Sequence, residues 1–323
     1  MQVSLLSLLA SAASASAAAV APRASNATGC TSLSTRIEWR NYPASDREAF
    51  VDAISCLTRK PSAGEHFAPS QSRWEDLAKT HQILTHAVHG NEIFLPWHRA
   101  FVSTFEALLR NECGFDRPLP WWDETLDAGK FNESSIFTPE YFGSLPEALH
   151  DDNDKFCVTD GNFANQTCNI GPGGDNNTVH CLSRAGNETI SGEITTDYIK
   201  LCSQIDRIRQ FTGCLETGTH ASGHNGIGAV MGDVWAAPED PAFFMYHLFV
   251  DAQYASWQEG GNGTRKSAAS LAGGCADWSY PCTNPLKMDT VLSLNGLGPA
   301  NLTLANVIDT RSGSLCYEYD YYF

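Results

Sequence analysis

Six of the ten histidines are concentrated in two short stretches, and their spacing could bind metal ions. Residues 81–98 read HQILTHAVHGNEIFLPWH and contain four histidines, while residues 220–224 read HASGH and contain two. Neutral imidazole is a common protein ligand for copper and zinc. Six clustered imidazoles could therefore furnish two sites of three ligands each.

The second stretch predicts one complete site. His220 and His224 are four residues apart, so on a helix their rings share a face and can chelate one ion. His247 lies in the middle of the apolar segment PEDPAFFMYHLFVDAQYASWQ, which predicts the following helix. If the two helices pack antiparallel, His247 can point back at the pair and complete the site.

The first stretch leaves two ligand sets open. His81 and His89 are eight residues apart, which is about 12 Å of rise on a straight helix. They can share an ion only if the helix ends between them, and Gly90 is a plausible stop. His86 and His89 are three residues apart and would suit a regular helix better. In either set, His98 on the next helix is the shared partner.

The donor types favour copper over zinc. Zinc proteases carry H-E-x-x-H, in which the glutamate acts as the base, but Ala221 occupies that position here. Neither histidine cluster contains an evident carboxylate or thiolate ligand, and an all-nitrogen environment suits copper. Two adjacent copper ions could bind O2 between them and oxidise a substrate by two electrons.

Helical patterns surround both clusters. The sequence predicts helices over residues 74–90, 96–114, 198–211 and 238–258, each with apolar residues at helical spacing. Residues 128–205 are different, because they hold four cysteines, four N-x-S/T sequons and the glycine-rich run GPGGDNN. We interpret them as a loop-rich, disulfide-pinned excursion within one domain. The last residues, CYEYDYYF, are expected to dock on the body as an extended segment.

Several features predict a secreted protein. Residues 1–18 read as a signal peptide, with a short apolar core followed by small residues. The eleven scattered cysteines form no C-x-x-C pair and are typical of disulfides, with one thiol left over. Seven glycosylation sequons agree with export; they lie at Asn26, Asn132, Asn165, Asn176, Asn187, Asn262 and Asn301.

Charge and hydropathy exclude two classes of partner. The formal net charge of −16 would repel a nucleic-acid backbone, and no run rich in lysine or arginine offsets it. After the signal peptide, no stretch approaches eighteen uninterrupted apolar residues, so no membrane span is expected.

Beyond the histidines, the surrounding residues resemble a known family. FLPWHRAFVSTFE, preceded by His81 and His89, resembles the copper A signature of the type 3 copper polyphenol oxidases, the tyrosinases and catechol oxidases. HASGH together with DPAFFMYHLFVD resembles their copper B signature. RIEWR near the start and the final Tyr317-Glu318-Tyr319 resemble elements that bracket the catalytic domain. The resemblance covers nearly the whole mature chain except residues 128–205.

This resemblance implies a fold, a cofactor and a domain. The fold would be mainly α, an antiparallel four-helix bundle around a dinuclear copper site with long disulfide-pinned loops, over residues 25–323. The chain ends soon after Tyr319, like the short secreted fungal type that lacks a C-terminal shielding domain. The family's spacing selects His81 over His86. The implied copper ligands are then His81, His89, His98, His220, His224 and His247.

The implied reaction is the O2-dependent oxidation of o-diphenols to o-quinones, with weaker o-hydroxylation of monophenols. Many efficient hydroxylases carry asparagine directly after the first copper B histidine, where Ala221 stands; here Asn225 follows the second histidine instead. Such an asparagine and a nearby glutamate, for which Glu216 is the candidate, would orient a water that deprotonates the phenol. Ala87 stands where some members form a thioether through cysteine, so none is expected.

Three further residues are expected to shape the site. Phe94 and Phe243 each lie four residues before a ligand histidine and should fix the imidazoles by packing, with one of them also facing substrate. Ala221 is the third. Arg99 and Asp251 are expected to form a structural ion pair.

Two other functions remain open at the level of sequence. A tailoring oxidase would couple or cyclise phenolic groups of a natural product, and it would ignore simple catechols. A haemocyanin-like O2 carrier shares the same type of copper site but is less favoured, because such carriers cover the site with another domain. The expected partners are therefore O2 and a small phenolic molecule, while the oligomeric state is left open.

Overall fold

The computed structural model describes residues 30–148, 155–313 and 315–323, so the predicted signal peptide at 1–18 lies outside the described residues. The expectation of a mainly α protein is confirmed. Within the described residues, no helix is long and apolar enough to span a membrane. The α-helices are α1 (Ala44–Arg59), α2 (Arg73–Val88), α3 (Phe94–Cys113), α4 (Glu188–Ser191), α5 (Thr196–Ser203), α6 (Ile208–Leu215), α7 (Ala221–Ile227), α8 (Ala242–Gly260) and α9 (Leu304–Val307).

The core is centred on α3 and α8, which pack along one another, with α1 against α2 and α3. Helix α8 is apolar on every side and buried along nearly its whole length, which is the pattern of a central helix. Phe105 of α3 stacks on Phe244 of α8, with ring centroids 4.0 Å apart. Trp74 of α2 meets both rings edge-on, so one aromatic cluster joins the three helices.

Helices α2 and α3 have defined ends. The Ser72 side chain accepts a hydrogen bond from the Glu75 backbone N–H and caps the start of α2. Helix α2 ends at Val88, so His89 is already outside it in an extended conformation. Helix α3 ends at Gly114, whose φ of 69° is the left-handed conformation that favours glycine. The helix predicted over residues 74–90 therefore ends two residues early, at Val88, which lies between His81 and His89 as a shared metal site requires.

The single helix predicted over 198–211 was wrong. The chain forms two helices there, α5 and α6, which are separated by residues 204–207 and joined by the disulfide Cys202–Cys214. A π-helical turn, Glu216–His220, follows α6 and leads directly into α7. Within this turn Gly218 is non-helical (φ −99°, ψ −109°) and lies against the Tyr198 ring, where a Cβ atom would clash. Tertiary contacts therefore shape this segment more than its helical propensity does.

Strands are short and peripheral. The strands are β1 (Ser34–Glu38), β2 (Pro120–Trp121), β3 (Phe156–Cys157), β4 (Thr167–Cys168), β5 (His180–Cys181), β6 (Ser183–Arg184) and β7 (Tyr317–Tyr319). β1 lies between β2 and β7 and is parallel to both. The final aromatic segment thus docks as predicted, and the disulfide Cys30–Cys316 fastens it to the start of the described chain.

The disulfides confirm the interpretation of the cysteines as staples. Five bridges form, and the thiol left over belongs to the buried Cys168. Within 128–205, two small antiparallel pairs, β3 with β6 and β4 with β5, are tied by Cys157–Cys181. The remaining bridges are Cys30–Cys316, Cys56–Cys113, Cys202–Cys214 and Cys275–Cys282.

Candidate metal centre

The six predicted histidines meet at the centre of the molecule as two triads. Triad A consists of His81, His89 and His98, and triad B of His220, His224 and His247. Within each triad, one ring nitrogen per residue lies within 4.8 Å of the others, which is the spacing needed to hold one metal ion.

Triad A is built from α2, its end and α3. His81 lies on α2, His89 follows the last residue of α2, and His98 lies on the second turn of α3. The His89 ring centroid lies 5.1 Å from that of His81 and 4.9 Å from that of His98. His86, the alternative from regular helical spacing, is exposed and packs on Trp235 instead.

Triad B depends on the π-helical turn. His220 closes the turn and His224 follows one turn later on α7, with ring centroids 4.7 Å apart. His247 approaches from the middle of α8, 5.4 Å from His220 and 5.6 Å from His224. The predicted helical pair and its third partner are thus brought together.

The two triads adjoin. The rings of His98 and His247 stack across the α3–α8 contact, with centroids 4.4 Å apart and planes 9° apart. On the other side of the centre, the His89 and His220 centroids are 6.1 Å apart. Two ions held by the triads would therefore be neighbours, and a small molecule such as O2 could contact both.

Backbone carbonyls orient five of the six rings. A carbonyl oxygen only accepts hydrogen bonds, so each bonded Nδ1 must donate, and a neutral ring then keeps its lone pair on Nε2. The ring-to-carbonyl pairs are His81 to Trp235 (3.2 Å), His89 to Thr85 (3.0 Å), His98 to Phe94 (2.9 Å), His220 to Glu216 (3.2 Å) and His224 to Met231 (2.7 Å).

Burial keeps these imidazoles neutral. It lowers the pKa of His89 and of His224 to about 4, and it lowers the pKa of the other four well below the ordinary 6.5. Among the described residues, the buried Nε2 atoms of His81, His98, His220 and His247 have no hydrogen-bond partner. Buried nitrogens without partners cost stability, so an all-imidazole set of this kind fits a bound copper ion.

Two phenylalanines hold the rings of both triads. Phe94 lies 4.6 Å from His98 in triad A and 4.6 Å from His220 in triad B. Phe243 lies 5.3 Å from His81 and 4.1 Å from His247. Because both side chains are fully buried, their packing fixes the imidazoles. A role for either one in shaping the substrate pocket stays a prediction.

One face of the centre opens to solvent. His89 retains 9% of its exposure, and both His224 and Ala221 are partly exposed. His247 and His81, by contrast, are almost fully covered. A substrate would therefore reach the centre from the side of His89, His224 and Ala221.

Glu216 and Asn225 lie near this face but make separate contacts. The Glu216 carboxylate accepts a hydrogen bond from the Gly90 backbone N–H at 2.7 Å. Burial raises the pKa of Glu216 to about 7, although the Gly90 bond opposes the shift. Asn225 is exposed, and its amide donates to the Ala221 carbonyl on its own helix. The water-orienting role predicted for this pair stays a prediction.

The predicted pair Arg99–Asp251 is present and belongs to a larger buried network. The Arg99 Nε lies 2.5 Å from Asp251 Oδ1, while Arg36 Nη1 lies 3.1 Å from Asp251 Oδ2. The hydroxyls of Tyr317 and Tyr319 also donate to Asp251. Burial alone would raise the pKa of Asp251, but the two guanidiniums hold it below its ordinary value. The charge is therefore fully compensated.

Three groups beside the centre were missed from the sequence. Glu124 is buried behind α7, and a Cβ atom on Gly223 would meet its carboxyl oxygen at 2.8 Å. The Tyr246 hydroxyl donates to the His220 carbonyl. Trp278 lies over Gly90, next to His89. In the sequence, Cys275 and Cys282 lie close together on either side of two aromatic residues, and this spacing could have predicted a short aromatic loop at Trp278. No sequence pattern indicated Glu124 or Tyr246.

A mainly helical fold that buries two adjoining imidazole triads defines a protein with a dinuclear, histidine-bound metal centre. Residues 71–260, which include all six histidines, match the tyrosinase family in the region described as the common central domain of tyrosinase. This chain belongs to the tyrosinase family, whose fold implies a dinuclear copper site, and it is a copper oxidoreductase of that family.

Similar proteins come from fungi. The chain is 28% identical to the N-acetyl-6-hydroxytryptophan oxidase ivoB of Emericella nidulans, over 89% of this chain and 92% of that protein. It is 30% identical to the tyrosinase-like protein phomQ1' of Diaporthe leptostromiformis, over 90% of this chain and 81% of that protein. The relatives thus include an oxidase whose name specifies a hydroxylated indole.

Solved structures share the fold. A mutant polyphenol oxidase from Thermothelomyces thermophila superposes with a TM-score of 0.79 at 26% identity, covering 89% of this chain and 88% of that one. A functional unit of octopus hemocyanin superposes with a TM-score of 0.58 at 18% identity, covering 89% and 68%. The second similarity shows the fold alone.

Proposed function

We propose that this chain oxidises phenolic substrates with O2 at two copper ions, one held by triad A and one by triad B. The observation that carries the proposal is the set of six neutral imidazoles, five of them oriented by carbonyls, whose ring nitrogens converge in two adjoining groups. Bound copper would supply the capacity to bind O2 and to accept two electrons from the substrate.

The preferred reaction is the oxidation of o-diphenols to o-quinones. Each diphenol gives up two electrons and two protons, so two diphenols reduce one O2 to two waters. The protein's own part is to keep the imidazoles neutral, to fix their orientation through the carbonyl bonds, and to leave one face open. The partly exposed His224 and Ala221, with His89 beside them, define that face, where the ring of a diphenol would enter.

Monophenol hydroxylation is proposed as the weaker activity. In this proposal Glu216 and Asn225 are the candidate residues that deprotonate a monophenol through water. Their contacts support only a weak role, because Glu216 binds the Gly90 N–H and Asn225 binds its own helix. Replacing Ala221→Asn, which places an amide beside His220, should raise the ratio of monophenol to diphenol turnover.

A second candidate function is supported by the relatives. The ivoB protein is named as an oxidase of N-acetyl-6-hydroxytryptophan, a hydroxylated aromatic ring carried on an acylated amino acid. A phenolic group on a larger molecule is therefore a second substrate class for this chain. Turnover of such compounds, with no turnover of simple catechols, would select this tailoring function over general diphenol oxidation.

The test combines metal content with turnover. The purified protein should hold about two copper ions per chain and should consume O2 with catechol, more slowly with tyrosine. Fewer than two coppers in fully loaded protein would contradict the ligand assignment. Full copper and reversible O2 binding without turnover of catechols or of N-acetyl-6-hydroxytryptophan would favour an O2 carrier.

We also propose export of a mature domain beginning near residue 25. Five disulfides are typical of an oxidising compartment. Expression in a fungal host, followed by N-terminal sequencing and deglycosylation, checks the cleavage site and the sequons together. Intact residues 1–18 on the recovered protein would contradict the signal-peptide assignment.

A further inference from the structure

Two large aromatic side chains are exposed on one short loop beside the metal centre. Trp278 is 66% exposed and Tyr280 is 88% exposed, and both belong to the segment closed by the disulfide Cys275–Cys282. Exposed tryptophan is uncommon, because an indole buries a large apolar area when it packs. The position of these rings therefore requires an explanation.

Specific contacts hold the loop in place. The Trp278 Nε1–H donates to the His86 carbonyl at 2.8 Å, which fixes one edge of the indole. The Cε2, Cζ2 and Cη2 atoms of the indole lie against Gly90, whose φ is 68° and whose missing side chain makes room for the ring. At the base of the loop, the Glu92 N–H donates to the Cys275 carbonyl at 3.2 Å. The ring is thus anchored while one side stays open to solvent.

This loop lies at the open face of the metal centre. Gly90 directly follows the ligand candidate His89, which keeps part of its exposure, and the Gly90 N–H binds Glu216. A second indole extends the aromatic wall, since Trp235 packs edge-on against the His86 ring at 4.4 Å. A molecule whose reacting ring enters beside His89 would pass Trp278 on the way in.

We propose that Trp278 and Tyr280 form a binding subsite for a second flat, aromatic part of the substrate. This inference rests on the proposed oxidation of phenolic rings at the two triads and specifies the class of substrate. The oxidisable ring occupies the metal centre, while a distal aromatic group stacks on the exposed indole. Trp278 is a specificity residue and contacts no reacting atom.

The size of the surface favours a small aromatic group over a protein partner. A stable protein interface covers about 800 Å² on each side, far more than two rings on an eight-residue loop offer. An indole that is anchored along one edge and 66% exposed, by contrast, matches the size of a single stacked aromatic ring. The guanidinium of Arg209 lies 5.9 Å from the Tyr280 ring centroid and 3.8 Å from the Glu92 carboxylate, so its charge is partly balanced beside the subsite.

Binding of two inert probes to the copper-loaded protein tests the subsite without turnover. Benzoate carries one ring and a carboxylate, and 4-(benzamidomethyl)benzoate adds a second ring on a short linker. Neither has a phenolic hydroxyl, so neither can be oxidised to a quinone. Isothermal titration calorimetry would compare wild type with Trp278→Ala, with the conservative Trp278→Phe, and with Leu201→Ala, an exposed apolar residue on α5.

We expect Trp278→Ala to weaken the two-ring probe about fivefold to tenfold, the worth of one aromatic stack, and to leave benzoate binding unchanged. Trp278→Phe should keep most of the affinity, and Leu201→Ala all of it. Equal losses for both probes, no loss for either, or a wild type that binds the second probe no tighter than benzoate would each overturn the subsite.

Turnover then separates this inference from the function on which it depends. With substrates of one and two rings, Trp278→Ala should raise KM for the larger one alone and leave kcat unchanged. If wild type oxidises no phenol but the binding difference holds, the oxidase proposal fails and the subsite stands. If catechol turnover is normal and the binding difference is absent, only the subsite fails.

Discussion

Two buried polar clusters lie side by side on the same pair of helices, α3 and α8. His98 and Arg99 are neighbours on α3, while His247 and Asp251 are one turn apart on α8. One cluster stacks two neutral imidazoles with centroids 4.4 Å apart, and the other pairs a guanidinium with a carboxylate at 2.5 Å. The same helix packing therefore creates both.

The two clusters differ at their central side chains, Asp251 and His247, although Arg36 Nε and Arg99 Nη2 of the ion-pair cluster also have no partner among the described residues. Both Asp251 oxygens accept hydrogen bonds from arginine or tyrosine side chains. Neither ring nitrogen of His247 has a hydrogen-bond partner among the described residues. A buried polar group without a partner costs about 1–3 kcal/mol. The difference teaches that the ion-pair cluster stabilises the fold, while the imidazole cluster is maintained for a ligand that the protein must bind.

The largest expected effect is the loss of activity in His224→Ala. Replacing one imidazole of triad B leaves two ligands, too few to hold a copper ion in this centre. We expect the copper content to fall to about one ion per chain and turnover of catechol to fall more than about 100-fold, since removing even an indirect partner of a metal ligand can cost that much. Metal analysis and O2 uptake measure both.

The matched control for that variant is His66→Ala, because His66 is exposed and lies outside both triads. It should keep full copper and normal turnover. If His224→Ala retained full copper and catechol oxidation, the assignment of triad B would have to be withdrawn.

The next largest effect is on stability and concerns the ion-pair cluster around Asp251. Asp251→Ala removes the carboxylate paired with the buried Arg99 and one of the two paired with the buried Arg36, and it should lower the free energy of unfolding by about 3–5 kcal/mol. Chemical denaturation of the metal-free protein measures the loss. Glu318→Gln, which breaks the partly exposed pair Arg311–Glu318 on β7, is the control and should cost less than about 1 kcal/mol.

Similar losses in Asp251→Ala and Glu318→Gln would contradict the structural role of the buried cluster. The comparison is sharp because Glu318 lies on the same strand as Tyr317 and Tyr319, whose side chains point inward to Asp251. The Asp251 carboxylate is buried in its ion pairs, whereas the Glu318 carboxylate is partly exposed in its pair with Arg311.

The sequence predicted side-chain positions that follow from helical spacing. His220 and His224 fall on one face because four residues make about one turn, and the same reasoning placed His247 opposite them. His81 could not be separated from His86 by geometry alone, because the choice depends on where α2 ends. The structure ends α2 at Val88, which brings His89 back toward His81.

Other features depend on tertiary contacts that leave no pattern in the chain. The carbonyls of Trp235 and Met231 orient two imidazoles, but every residue has a carbonyl, so residue type carries no information about this role. The break between α5 and α6 was missed for a related reason. It is accompanied by the disulfide Cys202–Cys214, and the partner of a cysteine cannot be read from its spacing.

The third expected effect is that a variant unable to bind copper at triad B is more stable than wild type in the metal-free state. In the metal-free protein, His247 is buried with neither ring nitrogen hydrogen-bonded among the described residues. His247→Leu replaces it with an apolar side chain of similar size, so the metal-free protein should become more stable by about 1–2 kcal/mol. Copper binding to triad B should be lost at the same time.

Asp251→Leu is the contrasting variant, because the same type of replacement in the ion-pair cluster leaves the buried Arg99 without its carboxylate and the buried Arg36 with Glu106 alone. Thermal unfolding of the metal-free proteins compares the two. If both variants lost the same amount of stability, the buried imidazole of His247 would contribute as much to the fold as the buried carboxylate of Asp251. That result would contradict the proposed difference between the two clusters.

The smallest expected effect concerns Glu124, a buried carboxyl behind triad B. Its oxygens have no hydrogen-bond partner among the described residues, and burial, with Asp123 and Asp127 nearby, raises its pKa well above 4.5. Because the folded state holds this proton more tightly, the stability from the neutral carboxyl is fully present below pH 4.5 and is lost as the pH rises toward the folded pKa.

Glu124→Gln keeps the shape of the side chain and removes the titration. The free energy of unfolding of the variant, relative to wild type, should therefore increase with pH above 4.5 until the pH passes the folded pKa of Glu124. Urea denaturation of metal-free protein at several pH values measures the slope, and the other titrating groups cancel in the difference. A difference that is flat between pH 4 and pH 8 would mean that Glu124 is ionised in the folded protein. A buried, ionised Glu124 would need a cationic partner, as Asp251 has. Its carboxyl would then resemble that of Asp251 and would no longer be a buried polar group without a partner.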